Sequence, residues 1–336
     1  MAWPGAPAHP GAAAHILGAM LRRPVASSVS IVETTHRGHL RLVTHGDARA
    51  RGEHRLVLVC GAFLAAAVYA PFARAVVRAL PEGWAVDVYD RRGKGGSTPQ
   101  PEDYDMDTEV QDVAAVLRRT GARHLLGHSL GGAVALHAVR ALAGRGTPGL
   151  ADPALLPQRL SVYDAAINVE GSLDTAWLTE FEEAVDAGRL GRALDLADRF
   201  FGNTPTLSRA PTWASAGVLA LVLRTGLSRV GREIIPAGVG ELRAALAEEA
   251  TVSDFASMGP RTLLMAGERS AEYFHATTHR LAAGMRDAAV QMAPKGIHGS
   301  IPMVLHDVVS SVAAFHRGHP APVDATVLRA AAPAAR

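Results

Sequence analysis

The 336-residue chain has a single cysteine, Cys60, so no internal disulfide can staple it. Cys60 ends the apolar run 56–60, which marks it as a buried, inert thiol. Charge of one sign is also lacking. With 34 basic and 32 acidic residues the net charge is +2, too little for the positive field that nucleic-acid binding needs. Lysine is nearly absent: Lys94 and Lys295 stand alone among arginines. No window holds the ~18 uninterrupted apolar residues of a membrane span. The N-terminus lacks a basic stretch ahead of an apolar one, which disfavours a secretory signal. These absences lead to the expectation of a cytoplasmic protein without nucleic-acid or membrane partners. The oligomeric state is not legible.

What is present is a packed-protein composition, 48% hydrophobic and 20% charged, on a chain long enough for one large domain with an insertion. Residues 1–26 and 318–336 are rich in Ala and Pro and are expected to be flexible arms. Between them strand and helix patterns alternate. Strands are expected at 28–33, 39–44, 55–60, 84–89, 124–127, 161–169, 261–266 and 288–292. Helices are expected at 71–80, 108–119, 130–142, 271–285 and 302–315. Such alternation implies βαβ units and a mostly parallel sheet. The stretch 173–257 has helix signals and no convincing strand, as in Trp177, Phe181, Val185 and Leu190, Leu194, Ala197, Phe201. It is expected to be a helical cap inserted into a core of 27–172 and 258–317.

Gly127-His128-Ser129-Leu130-Gly131 follows an expected strand and opens an expected helix. A nucleophile on such a sharp turn needs small neighbours where strand and helix close up, and the helix N-terminus directs free N–H groups at a developing anion. A serine hydroxyl needs a base. Of the 15 histidines, His298 lies in a Gly-containing loop between the last expected strand and the closing helix. His128 is expected to be structural. His275 and His279 have helical spacing for a metal pair but lack the glutamate of the zinc motif, so a solvated helix face is expected.

With G-x-S-x-G, the turn Asp90-Arg91-Arg92-Gly93-Lys94-Gly95-Gly96-Ser97 and the late His298, the chain resembles the α/β-hydrolase superfamily over about residues 28–317. That resemblance implies an α/β fold: a mostly parallel eight-stranded sheet flanked by helices, with an inserted helical cap. It further implies Ser129 as nucleophile, His298 as base, and an oxyanion hole from the N–H groups of Ala62 and Leu130, with Phe63 as substitute for Ala62. No metal or organic cofactor is implied. The family's usual acid position holds Ser270, which cannot carry a charge. The alternatives are Glu170, at the end of the expected strand 161–169, then Glu268 and Glu272. The expected chemistry is hydrolysis of an ester, thioester or lactone of an apolar small molecule, with Trp213, Leu219 and Leu221 shaping the pocket. Carbon–carbon hydrolysis, acyl transfer, cofactor-free lyase chemistry and a non-catalytic binding role are the rivals.

Overall fold

The computed structural model describes residues 24–35, 38–146, 149–201, 209–224 and 228–319. The arms expected at 1–26 and 318–336 fall mostly outside these residues.

Eight strands form one sheet: β1 (Ser27–Thr34), β2 (Gly38–Gly46), β3 (Gly52–Val59), β4 (Ala85–Tyr89), β5 (Ala122–His128), β6 (Arg159–Tyr163), β7 (Arg261–Gly267) and β8 (Ala288–Ala293). Their spatial order is β1-β2-β4-β3-β5-β6-β7-β8. β2 runs antiparallel to both its neighbours, and every pairing from β4 to β8 is parallel. The central strands read as unbroken apolar runs because both faces are covered. On one face lie α1 (Ala66–Ala79) and α9 (His306–His316), packed on Leu56, Leu58, Val86 and Leu263. On the other lie α2 (Met106–Thr120), α3 (Leu130–Leu142) and α8 (Glu272–Gly284), packed on Val57, Val59, Leu125 and Leu264.

Local chemistry sets the boundaries. Asp105 caps α2 by accepting the Thr108 N–H at 2.8 Å, and Gly121 closes it in the left-handed region at φ 66°. α1 begins before Pro71, not at it. The Ala66 N–H donates to Asp90 Oδ1 at 2.7 Å, which starts the helix earlier, and the proline sits inside at the cost of one backbone bond.

The strand expected at 161–169 is shorter and earlier. β6 ends at Tyr163, and Asp164 turns the chain at φ 46°. The apolar residues that follow are buried for another reason. Ala165 packs on Gly132 of α3, the Ala166 N–H donates to Ser129 O at 3.0 Å, and Val169 forms an isolated bridge with Ala250. Between β6 and β7 the chain carries α4 (Ala176–Asp186), α5 (Leu190–Phe201), α6 (Thr212–Arg224) and α7 (Ser228–Ala247). Buried Asp195 pins α5 to α6 by accepting from Ser215 Oγ at 2.5 Å and from Arg199. No helix among the described residues is long and apolar enough to cross a membrane.

Candidate active site

The C-terminal ends of β5, β6 and β7 lie side by side, the crevice where open parallel sheets place their ligands. His128, the last residue of β5, pairs in register with Tyr163, the last of β6. The residues after them, Ser129 and Asp164, therefore leave the sheet at the same level. Ser129 turns into α3 at φ 56° and ψ −127°, a strained conformation. Its N–H donates to Tyr163 O at 3.0 Å, which ties the turn to β6. Glycine is required here: a Cβ on Gly131 would overlap the carbonyl oxygens of Val59 and Cys60, and one on Gly127 would overlap Gly131 O.

His298 arrives from a short 3-10 turn after β8 and is buried. Its Nε2 lies 3.0 Å from Ser129 Oγ, and its Nδ1 lies 3.2 Å from Asp164 Oδ2. Asp164 is fully buried and held at both oxygens. The Gly267 N–H donates to Oδ1 at 3.0 Å and the Ser270 hydroxyl donates to Oδ2 at 2.6 Å. A hydroxyl, an imidazole and a carboxylate thus stand in one hydrogen-bonded line. In that line the Nδ1–H faces the carboxylate and Nε2 is left to accept from the serine.

The carboxylates expected from sequence lie elsewhere. Glu170 is exposed, seven residues beyond the true end of β6. Glu268 is exposed and accepts the Lys295 N–H at 2.8 Å. Glu272 is exposed and pairs with His275 at 3.5 Å. The carboxylate beside His298 is Asp164, which sequence reasoning missed because it fell inside the strand expected at 161–169. Its signal was a lone acid inside an otherwise apolar stretch, Val162-Tyr163-Asp164-Ala165-Ala166-Ile167. Ser270, at the position expected for an acid, instead donates a hydrogen bond to the Asp164 carboxylate, just past the end of the adjacent strand.

The loop after β3 passes beside the serine, with Gly61 against Ser129 Cβ. The N–H groups of Ala62 and Leu130 have no acceptor within the described residues. Phe63, the substitute donor expected from sequence, sits at φ 59° with its N–H turned to Glu241 Oε2 at 3.4 Å, so it is already engaged.

A model of the alpha/beta hydrolase family matches residues 56–329, most of the chain. The chain belongs to the alpha/beta hydrolase family. It is 33% identical over 153 residues to a non-heme haloperoxidase from Rhodococcus erythropolis, covering 44% of this chain and 53% of the relative. The match thus spans about half the length of that curated relative. A bromoperoxidase structure from Bacillus anthracis superposes with TM-score 0.62 at 18% identity, covering 86% of this chain and all of that one (100%). A carboxylesterase structure from Bacillus subtilis superposes with TM-score 0.59 at 16% identity, covering 92% and 100%. At such identities the likeness speaks for the fold.

In this α/β hydrolase a second hydrogen-bond chain joins His298 to the loop after β3. The Gly61 N–H donates to Tyr69 Oη at 2.7 Å, and Tyr69 Oη donates to His128 Nδ1 at 2.7 Å. His128 Nε2–H then donates to His298 O at 2.9 Å. Burial, with the neighbouring His298 adding to it, pulls the His128 pKa down to about 3, so the ring is neutral. Neutrality is what lets one ring nitrogen accept while the other donates. The His298 ring is itself stacked between Phe274 of α8, at 4.5 Å and 15°, and Phe201 of α5, at 5.8 Å and 8°. Trp177, Phe181 and Phe200 extend that aromatic wall, and Phe63 meets Phe181 at 5.7 Å. The Trp177 indole N–H is buried in it without an acceptor among the described residues.

The residues expected to shape the pocket do not all face inward. Trp213 is 80% exposed and Leu221 64%, so that stripe of α6 points to solvent. His275 bonds to Gly267 O at 2.7 Å and His279 is exposed. Among the described residues no cluster of three or more His, Cys, Asp or Glu could hold a metal ion.

Proposed function

We propose that this α/β hydrolase transfers an acyl group from an apolar small-molecule ester, thioester or lactone to water through Ser129. The observation that carries the reading is the unbroken line from Ser129 Oγ through His298 to Asp164, at 3.0 Å and 3.2 Å. His298 Nε2 takes the Ser129 proton as Oγ attacks the carbonyl carbon. Asp164 holds the tautomer and stabilises the imidazolium. The Ala62 and Leu130 N–H groups are free to bind the oxyanion, each worth about 10²–10³ in rate. The intermediate collapses as His298 returns the proton to the leaving oxygen or sulfur. Water, deprotonated by the same imidazole, then releases the acid and restores Ser129. The aromatic wall from α4, α5 and α8 supports an apolar acyl or alcohol group. With a carboxylate beside His298, the motive for a non-catalytic binding role, Ser270, falls away.

The Rhodococcus erythropolis relative, a haloperoxidase, favours one second reading. Hydrogen peroxide in place of water would take the acyl group and leave as a peracid. Bromide oxidation by the protein with acetate and peroxide distinguishes the two acceptors.

Labelling with a fluorophosphonate tests the main reading. The wild-type chain is expected to take one label, and Ser129→Ala none. An unlabelled wild type, or a labelled Ser129→Ala, counts against it.

A further inference from the structure

Lys94 and Glu241 are fully buried, and neither belongs to the Ser129–His298–Asp164 line. Lys94, one of only two lysines, stands in the turn after β4, while Glu241 belongs to α7. Lys94 Nζ lies 2.6 Å from Glu241 Oε1 and donates to Gly61 O and Leu64 O, each at 3.2 Å. The other oxygen of Glu241 faces the Phe63 N–H at 3.4 Å. These two side chains therefore hold the loop after β3 at Gly61, Phe63 and Leu64, on both sides of Ala62. Phe63 stays at φ 59°, a conformation that needs holding, and its ring lies against Gly238 of α7.

Charge explains why the pair is cooperative. Arg91 reaches Glu241 at 3.4 Å, gives its other edge to Glu109 at 2.5 Å, and donates to Cys60 O at 3.3 Å. Arg91 and Lys94 are balanced by Glu109 and Glu241, so the buried group is neutral only while α7 is seated. Without Glu241, Lys94 would face the Gly61 and Leu64 carbonyls and the Arg91 cation with no anion of its own, so the loop would have to move to hydrate it or the amine would give up its proton.

We infer that the Lys94–Glu241 pair is a positioning device that aims the Ala62 N–H and makes the oxyanion hole depend on the seating of α7. The inference rests on the acyl-transfer reading above. The test compares the wild type with Lys94→Met/Glu241→Gln, which removes both charges at nearly constant volume. It uses a nitrophenyl butyrate, a trifluoromethyl ketone that binds as an oxyanion, and hydrogen exchange over residues 61–66. The double variant is expected to keep KM within about threefold and to lose about 10–100-fold in kcat, part of what a lost donor costs. The ketone should weaken by the same factor, and exchange at 61–66 should rise. If the double variant fails to fold, Lys94→Met alone, which leaves Glu241 beside Arg91 at 3.4 Å, carries the test, read the same way. A folded variant with wild-type kcat, ketone affinity and exchange overturns the inference, even if its melting temperature falls. Unchanged exchange overturns it whatever the chemistry. A wild type that takes no fluorophosphonate, with exchange rising in the variant, instead indicts the acyl-transfer reading.

Discussion

Asp164 is fixed before any substrate arrives. Two donors hold its oxygens, and the register of β6 on β5 sets it level with Ser129. Asp164→Asn would keep the shape but present an amide N–H to His298 Nδ1, forcing the wrong tautomer. Turnover is expected to fall about 10³–10⁴-fold while Ser129 and His298 stay in place. Glu170→Gln, exposed and remote from the imidazole, is expected to turn over as the wild type. Steady-state rates on one nitrophenyl ester read both, and a near-normal Asp164→Asn enzyme would remove Asp164 from the mechanism. Ser129 and His298 were legible because each sits in a local pattern, a Gly-flanked strand-to-helix turn and a loop after the last strand. Asp164 has no such pattern. Its part is defined by contact with a residue 134 positions away, and the apolar stretch around it read as uninterrupted strand.

At the scale of elements, the turn from β5 into α3 depends on close backbone approach. Gly131→Ala would push a Cβ into two carbonyl oxygens of the β3 end, neither of which is a movable side-chain tip. A loss of about 1–3 kcal/mol is expected, read as a lower urea midpoint with unchanged slope. An unshifted midpoint would mean that the approach is looser than described. The same scale shows where periodicity succeeds and fails. α5 was legible from its apolar spacing. α7 was not, since Pro236, Gly238 and Gly240 interrupt its apolar pattern. The glycine at 238 is there for the Phe63 ring, a reason that no local propensity carries. α6 carries an apolar stripe that faces solvent, because hydropathy reports composition and not partner.

For the whole molecule, buried neutral histidines set how folding responds to acid. Burial pulls His128 and His137 down to about 3 and His124 to about 4, against an ordinary value of 6.5. His316, paired with His124 at 3.0 Å, is lowered well below it, also by burial. Below pH 6.5 the unfolded chain binds protons that the native state refuses, so stability falls as pH drops and levels off above 6.5 as far as these groups go. Fully buried His128 and His137 each steepen the fall by up to ~1.4 kcal/mol per pH unit. Urea unfolding at pH 7.5, 5.5 and 4.5 reads this, and a flat free energy would contradict it. The alternating sheet and helices were legible across the chain because both faces of the parallel strands are buried. What joins the site together was not, since it depends on how β5, β6, β7 and α7 meet. The proposed acyl transfer requires that Ser129 carry the acyl group. The most direct measurement is rapid acid quench of the enzyme mixed with a nitrophenyl ester, followed by peptide mass analysis. One acyl group on the Ser129 peptide, formed in the burst and lost at the rate of turnover, is the predicted result. Steady turnover with that peptide unmodified, or an acyl group on another residue, would contradict it.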